Sequence, residues 1–233
     1  MSAKIKLVVI MVVSLCIGLF LFTYAEMLGT KIRVKPTQVE IIETVMQSVV
    51  AVYHPSINIP ASGFYIGDGV IVTAGHVAKM DGIKKVVFED GTKYPVLRQI
   101  VHPDYDCGFL IIENIDRPIL KFDLKEVQRG ENIFTLGHPV GLTFIVTKGI
   151  VTGRSDAEGF FGNTLLITTD AVTQPGNSGS VLIDEDGEIR GVHVGGKIGN
   201  CGSPLHGYEV DICVSDILKA METAKLKLPS TED

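Results

Sequence analysis

Short apolar runs bounded by glycine or by turn residues restrict this chain to few kinds of fold. Segments 63–66 and 70–73 flank Gly67-Asp68-Gly69, and 86–88 and 93–96 flank Glu89-Asp90-Gly91-Thr92. Both arrangements read as hairpins. Segments 99–101 and 108–112 follow, and later come 131–136, 144–152, 165–169, 180–183, 189–194 and 208–214. Each has strand length and stops at a turn signal. The chain has 233 residues, 25 of them glycine, and no tryptophan. That length suits one domain, or two small halves sharing a core. The strand pattern alone says all-β. Residues 39–50 read as a brief helix running into a strand at 48–53. Residues 115–130 carry Pro118 and many charges and read as a crossing segment between two groups of strands. Ser215 suits the N-cap of a last helix over 216–224, with Ile217, Leu218 and Met221 on one face.

The first 25 residues differ from the rest. Lys4 and Lys6 precede an uncharged run over 7–22, and Thr23-Tyr24-Ala25 extends it towards the ~20 residues that cross a bilayer. The stretch reads as an uncleaved transmembrane anchor or a signal peptide cut near Ala25. Either predicts an exported domain, bound to a membrane through residues 7–25 or released. Lys31, Arg33 and Lys35 lie on the far side of the run, so charge does not fix its orientation. The organisation that follows is an anchor or signal over 1–25, a linker over 26–43, a domain over 44–224 and a tail over 225–233. Within the domain, one half covers about 44–115 and the other about 130–214.

Three stretches carry chemistry. Pro175-Gly176-Asn177-Ser178-Gly179-Ser180 sets a serine between glycines, ahead of the apolar run Val181-Leu182-Ile183. Glycines around a hydroxyl let a tight turn present it beside bare amide groups. Alone, this is equally a polar turn. Val72-Thr73-Ala74-Gly75-His76-Val77 places a histidine after a strand and a small-small step. His102-Pro103-Asp104-Tyr105-Asp106-Cys107-Gly108 places an aspartate at the mouth of a strand, with Asp104 as a rival two residues away. Serine, histidine and aspartate are what acyl transfer by a neutral alcohol needs. The hydroxyl attacks only when a base takes its proton, and the base works best when a carboxylate fixes its tautomer.

These words in this order resemble the chymotrypsin-like serine proteases, closest to the bacterial HtrA and glutamyl endopeptidase branches. Thr-Ala-Gly-His-Val at 73–77, Asp-x-Gly-x-Leu at 106–110, Leu136-Gly137-His138-Pro139, Lys148-Gly149-Ile150-Val151 and Gly176-Asn177-Ser178-Gly179-Ser180 carry the likeness, over roughly 44–220. It implies two six-stranded antiparallel β-barrels with a C-terminal helix, behind an N-terminal hydrophobic helix. It implies Ser178 as nucleophile, His76 as base and Asp106 as orienting acid in a cleft between the barrels. The oxyanion hole would be the N–H groups of Gly176 and Ser178. Asn177 stands where zymogen-activated relatives have an aspartate that pairs with a newly cut amine. An asparagine cannot make that pair, so activity without N-terminal processing is expected.

Specificity rests on Thr173, five residues before Ser178, and His193, fifteen after it, within Gly191-Val192-His193-Val194-Gly195-Gly196. This spacing resembles the glutamyl endopeptidases. An imidazole N–H and a hydroxyl both donate to a carboxylate or amide oxygen, and leave an apolar side chain with unpaired polar neighbours. The expectation is cleavage after Glu, with Gln or Asp second. Val172 stands six before Ser178, which argues against a taste for Lys or Arg. The alternative is an HtrA-like pocket for small aliphatic side chains, with His193 merely packed. Val194, Gly195 and Gly196 would form the edge that pairs with substrate backbone.

The remaining signals are weaker. Cys107, Cys201 and Cys213 are an odd set for a disulfide framework. Cys107 reads as a buried strand residue, and Cys201 and Cys213 as a possible bridge. His54, His102, His138 and His206 show no metal-ligand spacing, so neither metal nor cofactor is expected. His102 and His138 read as structural. A formal charge of −6 argues against a nucleic-acid partner; the resemblance implies protein or peptide substrates. Little chain follows residue 224, so the PDZ module of typical HtrA members is not expected. Competing readings are a catalytically inactive protease fold kept for binding and a membrane-associated scaffold.

Overall fold

The computed structural model describes residues 3–27, 35–157, 164–198 and 204–227. The chain divides into two units, Met1–Thr37 and Gln38–Asp233. The first holds the helix α1 (Ala3–Met27). Its described large apolar side chains are exposed, Leu15 at 71% and Phe20 at 67% among them. Among the described residues no helix is long and apolar enough to cross a membrane. The expected transmembrane helix is therefore not borne out among these residues.

The second unit opens with α2 (Gln38–Met46), which buries Ile41, Val45 and Met46 at helical spacing. Seven strands follow: β1 (Val49–Tyr53), β2 (Ala61–Tyr65), β3 (Val70–Ala74), β4 (Lys85–Phe88), β5 (Lys93–Pro95), β6 (Arg98–Val101) and β7 (Cys107–Ile111). A short helix, α3 (Gly75–Ala78), leaves the end of β3. Six more strands follow: β8 (Asn132–Gly137), β9 (Ile145–Ala157), β10 (Thr164–Thr169), β11 (Val181–Ile183), β12 (Ile189–Ile198) and β13 (Pro204–Cys213). The last described element is α4 (Val214–Thr223). Cys213 is its N-cap residue, without a side-chain cap bond. The expected cap, Ser215, lies inside the first turn, where its hydroxyl is 3.0 Å from the Cys213 sulfur.

The second group of strands closes into the expected six-stranded barrel, in the order β10-β13-β12-β11-β8-β9. The first does not. It is a seven-stranded sheet ordered β5-β4-β1-β2-β3-β7-β6, so the expectation of two closed six-stranded barrels is corrected. The reason lies at Val96-Leu97. The Val96 N–H donates to Lys84 C=O on one edge, and the Leu97 N–H to Ile111 C=O on the other. The two edge strands thus join end to end, and no ladder forms between them. Pro95, which ends β5, has no N–H to offer one.

Packing follows the apolar runs. Phe64, Phe88, Phe109, Ile71 and Leu110 are fully buried, each stabilising by roughly 1.5–3 kcal/mol. Their cluster continues into the barrel through Leu136, Val181, Val192 and Ile212. The crossing segment lies against this body without regular structure. Ser48 Oγ donates to Pro118 C=O at 2.6 Å, and Phe122 forms a parallel bridge with Ile189. Cys213 is a free, buried thiol, so the proposed Cys201–Cys213 bridge is not formed; Cys201 itself lies outside the described residues. Cys107 is also free and buried. Burial pushes its thiol pKa up, which makes it an inert strand residue.

Gly108 allows a close approach that bears on the site. A Cβ there would lie 2.4 Å from Ala78 Cβ and 3.1 Å from Ile100 C=O. Its absence lets α3, which carries His76, rest against β7. Gly108→Ala is expected to lower stability by about 1–3 kcal/mol, the usual cost of overpacking. An unchanged denaturant midpoint would contradict the close packing of α3 on β7.

Candidate active site

Asp106 grips His76 twice. Asp106 Oδ2 lies 2.8 Å from His76 Nδ1, and Asp106 Oδ1 accepts the His76 backbone N–H at 2.6 Å. The Gly75 N–H donates to Asp106 C=O at 3.0 Å. The carboxylate side chain is 11% exposed and the imidazole 47%, so the ring offers its far nitrogen to solvent while its near side is fixed. Asp106, not its rival Asp104, reaches the histidine. His102 orders the turn before it. Its Nδ1 accepts the N–H groups of Asp104 and Tyr105, both at 3.2 Å, and its ring stacks on Tyr105 at 4.4 Å.

The serine loop is two successive turns. Asn177 N–H donates to Gln174 C=O at 3.0 Å, and Ser180 N–H to Asn177 C=O at 2.7 Å. Each turn has a glycine at positive φ, Gly176 at 106° and Gly179 at 91°, where an L side chain would be strained. Space excludes side chains there as well. A Cβ on Gly179 would sit 2.0 Å from Ser62 C=O and 2.3 Å from Thr73 Oγ1, and one on Gly176 would sit 2.2 Å from His138 C=O. The loop is sewn to the first sheet: Ser62 N–H donates to Ser178 C=O at 2.9 Å, and Thr73 Oγ1 to Ser62 C=O at 2.7 Å. Thr73 lies three residues before His76, so Ser178 is drawn to the mouth of β3. Among the described residues the hydrogen bonds of His76 go to Asp106 alone, and the bond from Ser178 is unmade. Such bonds are often long before substrate binds. Neither Gly176 N–H nor Ser178 N–H donates to a backbone acceptor among the described residues, which leaves both for a ligand. Ser180, the other serine of the motif, turns inward and donates to Asn177 Oδ1 at 3.2 Å.

Thr173 and His193 are both buried. The main chain of His193 is bonded to the serine loop. Gly179 N–H donates to His193 C=O at 2.8 Å, and His193 N–H to Ser180 C=O at 2.9 Å. β11 pairs with β12 only as far as Val181 opposite Val192. Val194, Gly195 and Gly196 therefore lie beyond that ladder, with β13 on their other side.

Sequence reading missed two partners. His193 Nδ1 lies 3.2 Å from Asp211 Oδ1. Asp211 is fully buried and its Oδ2 has no hydrogen-bond partner. The signal was a lone acid inside the apolar run Val210-Asp211-Ile212-Cys213. The second is Ser62, 76 positions from His138. Ser62 Oγ lies 3.0 Å from His138 Nδ1, accepts the His138 N–H at 3.1 Å and donates to Gly176 C=O at 2.8 Å. No local pattern announces it. Elsewhere Asp123, Asp184 and Glu188 offer ligand atoms within 4.8 Å of one another. The guanidinium of Arg190 pairs with Asp123 and already supplies the positive charge there.

His138 is fully buried, and burial holds its pKa down at about 4. Its Nε2 has no partner, so the imidazolium would bury an unpaired N–H. The unfolded chain takes up a proton near pH 6.5 and the folded chain does not, so stability falls with pH between about 6.5 and 4. The full effect is about 3 kcal/mol. Urea midpoints at pH 7 and pH 4.5 test this against His138→Gln. The wild type is expected to lose more stability on acidification. Equal losses would contradict a buried neutral ring.

Comparison with known proteins accords with this geometry. A family model described as "Trypsin-like peptidase domain" matches residues 61–192. The chain is 33% identical over 153 residues to a Chlamydia pneumoniae protein named "Probable periplasmic serine endoprotease DegP-like", an alignment covering 59% of this chain and 30% of the relative. The chain thus spans about 30% of the length of the curated relatives it matches. The crystal structure of the serine endoprotease from Yersinia pestis superposes with TM-score 0.68 at 25% identity, over 82% of this chain and 67% of that one. The HtrA-type protease AlgW with a decapeptide gives TM-score 0.71 at 19% identity, over 81% and 67%, a likeness of fold. With the matched domain covering more than half of its residues, the chain belongs to the trypsin-like peptidase family.

Proposed function

We propose that the chain is a serine endopeptidase of HtrA type that hydrolyses peptide bonds through an acyl-enzyme. The observation that carries this is the double grip of Asp106 on His76, set beside a serine loop whose two amides are free. In this reading Ser178 Oγ attacks the scissile carbonyl carbon and His76 Nε2 takes its proton. Asp106 keeps the other ring proton on Nδ1 and steadies the imidazolium. The N–H groups of Gly176 and Ser178 receive the oxyanion, a contribution of roughly 2.7–4 kcal/mol for each donor. His76 then protonates the leaving amine, and water repeats the sequence to release the acid.

The reading extends to the side chain before the cut, for which we propose Glu, then Gln or Asp. The support is the buried pair of Thr173 and His193. An imidazole N–H at His193 and the Thr173 hydroxyl would both donate to a carboxylate or amide oxygen of that side chain. A small-aliphatic pocket is the second reading, favoured if Asp211 merely neutralises a packed histidine. The edge at Val194, Gly195 and Gly196 would pair with substrate backbone. The Chlamydia pneumoniae relative is named as periplasmic, and we extend an extracytoplasmic placement to the domain over 44–224. Residues 1–25 would act as its signal or anchor, an assignment favoured by the exposed apolar surface of α1.

A peptide-library digest by the untrimmed chain tests these points together. Cuts chiefly after Glu are expected, and none with Ser178→Ala. Cuts chiefly after Val or Leu would overturn the acidic preference, and cutting only after N-terminal trimming would overturn the inference from Asn177. Asp106→Asn is expected to lower kcat by about 10⁴-fold, as loss of the orienting carboxylate does in triads of this kind. A loss under tenfold would remove Asp106 from the mechanism.

A further inference from the structure

Two carbonyls in the serine loop are pinned from outside it. The Pro175 C=O accepts the N–H of Val140 at 2.7 Å. The Gly176 C=O accepts the hydroxyl of Ser62 at 2.8 Å. The first bond bears directly on the candidate oxyanion hole. Pro175 C=O and Gly176 N–H belong to one trans peptide and point in opposite directions. Fixing the carbonyl therefore fixes the direction of the amide. Rotation of that peptide would replace the N–H with a carbonyl oxygen, which repels a developing negative charge.

Both pins depend on one buried knot. Ser62 has a single hydroxyl proton, and it goes to Gly176 C=O. The His138 ring must then donate its Nδ1–H to Ser62 Oγ, at 3.0 Å, alongside the His138 backbone N–H at 3.1 Å. That tautomer leaves Nε2 as the bare nitrogen, and Nε2 is the buried ring atom without a partner. Phe144 packs edge-on against the ring at 4.7 Å. His138 opens the turn Pro139–Gly141, which carries Val140 at φ 46°. A β-branched residue in the left-handed region is strained and persists only where its surroundings enforce it. Ser62, His138 and Val140 thus act as one clamp on the Pro175-Gly176 peptide.

We propose that the Ser62 hydroxyl and the His138 ring are positioning residues that hold the oxyanion hole open in the resting enzyme. The proposal rests on the serine endopeptidase reading. It differs from it in assigning a role to two side chains that touch neither substrate nor the three reacting groups. It also supplies a physical reason for competence without a newly cut N-terminus. Asn177 is buried and paired with Ser180, and the clamp comes from β2 and the His138 turn.

The test is Ser62→Ala, measured on a cleavable peptide and on a peptide boronate whose tetrahedral adduct places an oxygen between the two amides. The expected result is a fall in kcat of about 10–100-fold, somewhat less than loss of a hole donor, with KM within twofold of wild type. Boronate affinity should fall by a similar factor. A merely structural change would raise KM and lower thermal stability without singling out the tetrahedral adduct; that result overturns the proposal. Ser178-dependent turnover within twofold of wild type overturns it also, and leaves the peptidase reading standing. Wild-type turnover that survives Ser178→Ala overturns the peptidase reading and the clamp's role with it. Should Ser62→Ala fail to fold, Ser62→Cys carries the same test, because a thiol fills the site but donates weakly.

Discussion

Ser62 is the joint between the two halves. Its N–H takes the Ser178 carbonyl, its own carbonyl takes the Thr73 hydroxyl, and its side chain takes the Gly176 carbonyl. One residue of β2 thereby fixes the serine loop of the barrel against the strand that leads to His76. A site split across two sheets works only if their separation is set to a fraction of an ångström. Apolar packing fills the space between them, but it is non-directional. The hydrogen bonds from a fully buried residue of β2 to Ser178, Gly176 and His138 supply the direction.

The candidate site was legible where it is local. His76, Asp106 and Ser178 each sit in a short string whose small residues have a visible purpose. Gly75 and Gly108 clear room for the histidine helix, and Gly176 and Gly179 turn the serine outward. What was not legible is what holds these strings together. Ser62 and His138 are 76 positions apart, and His193 and Asp211 are 18. Nothing in either neighbourhood marks the other as its partner. His138 was read as structural, and its buried ring bonds to Ser62, whose hydroxyl in turn donates to Gly176 C=O.

The fold was read well where turns are sharp and less well where the chain bends gradually. All six strands of the barrel were foreseen, but three overrun their expected ends by four or five residues: β9 runs on to Ala157, β12 on to Ile198, and β13 starts back at Pro204. The first half was expected to close, and its chain does come round. It does so through Val96-Leu97, whose amides serve opposite edges, a crossing that no periodicity reports. A disulfide between Cys201 and Cys213 was an inference from composition. The free Cys213 thiol, beside Ser215, removes it.

The account depends on a hydroxyl at 178 that becomes unusually reactive because a histidine from the other half can reach it. Labelling with a fluorophosphonate, followed by mass-spectrometric mapping, reads that reactivity without choosing a substrate. The account predicts one phosphonyl group per chain, on Ser178, lost in His76→Ala. A chain that stays unlabelled, or carries its label elsewhere, would contradict it.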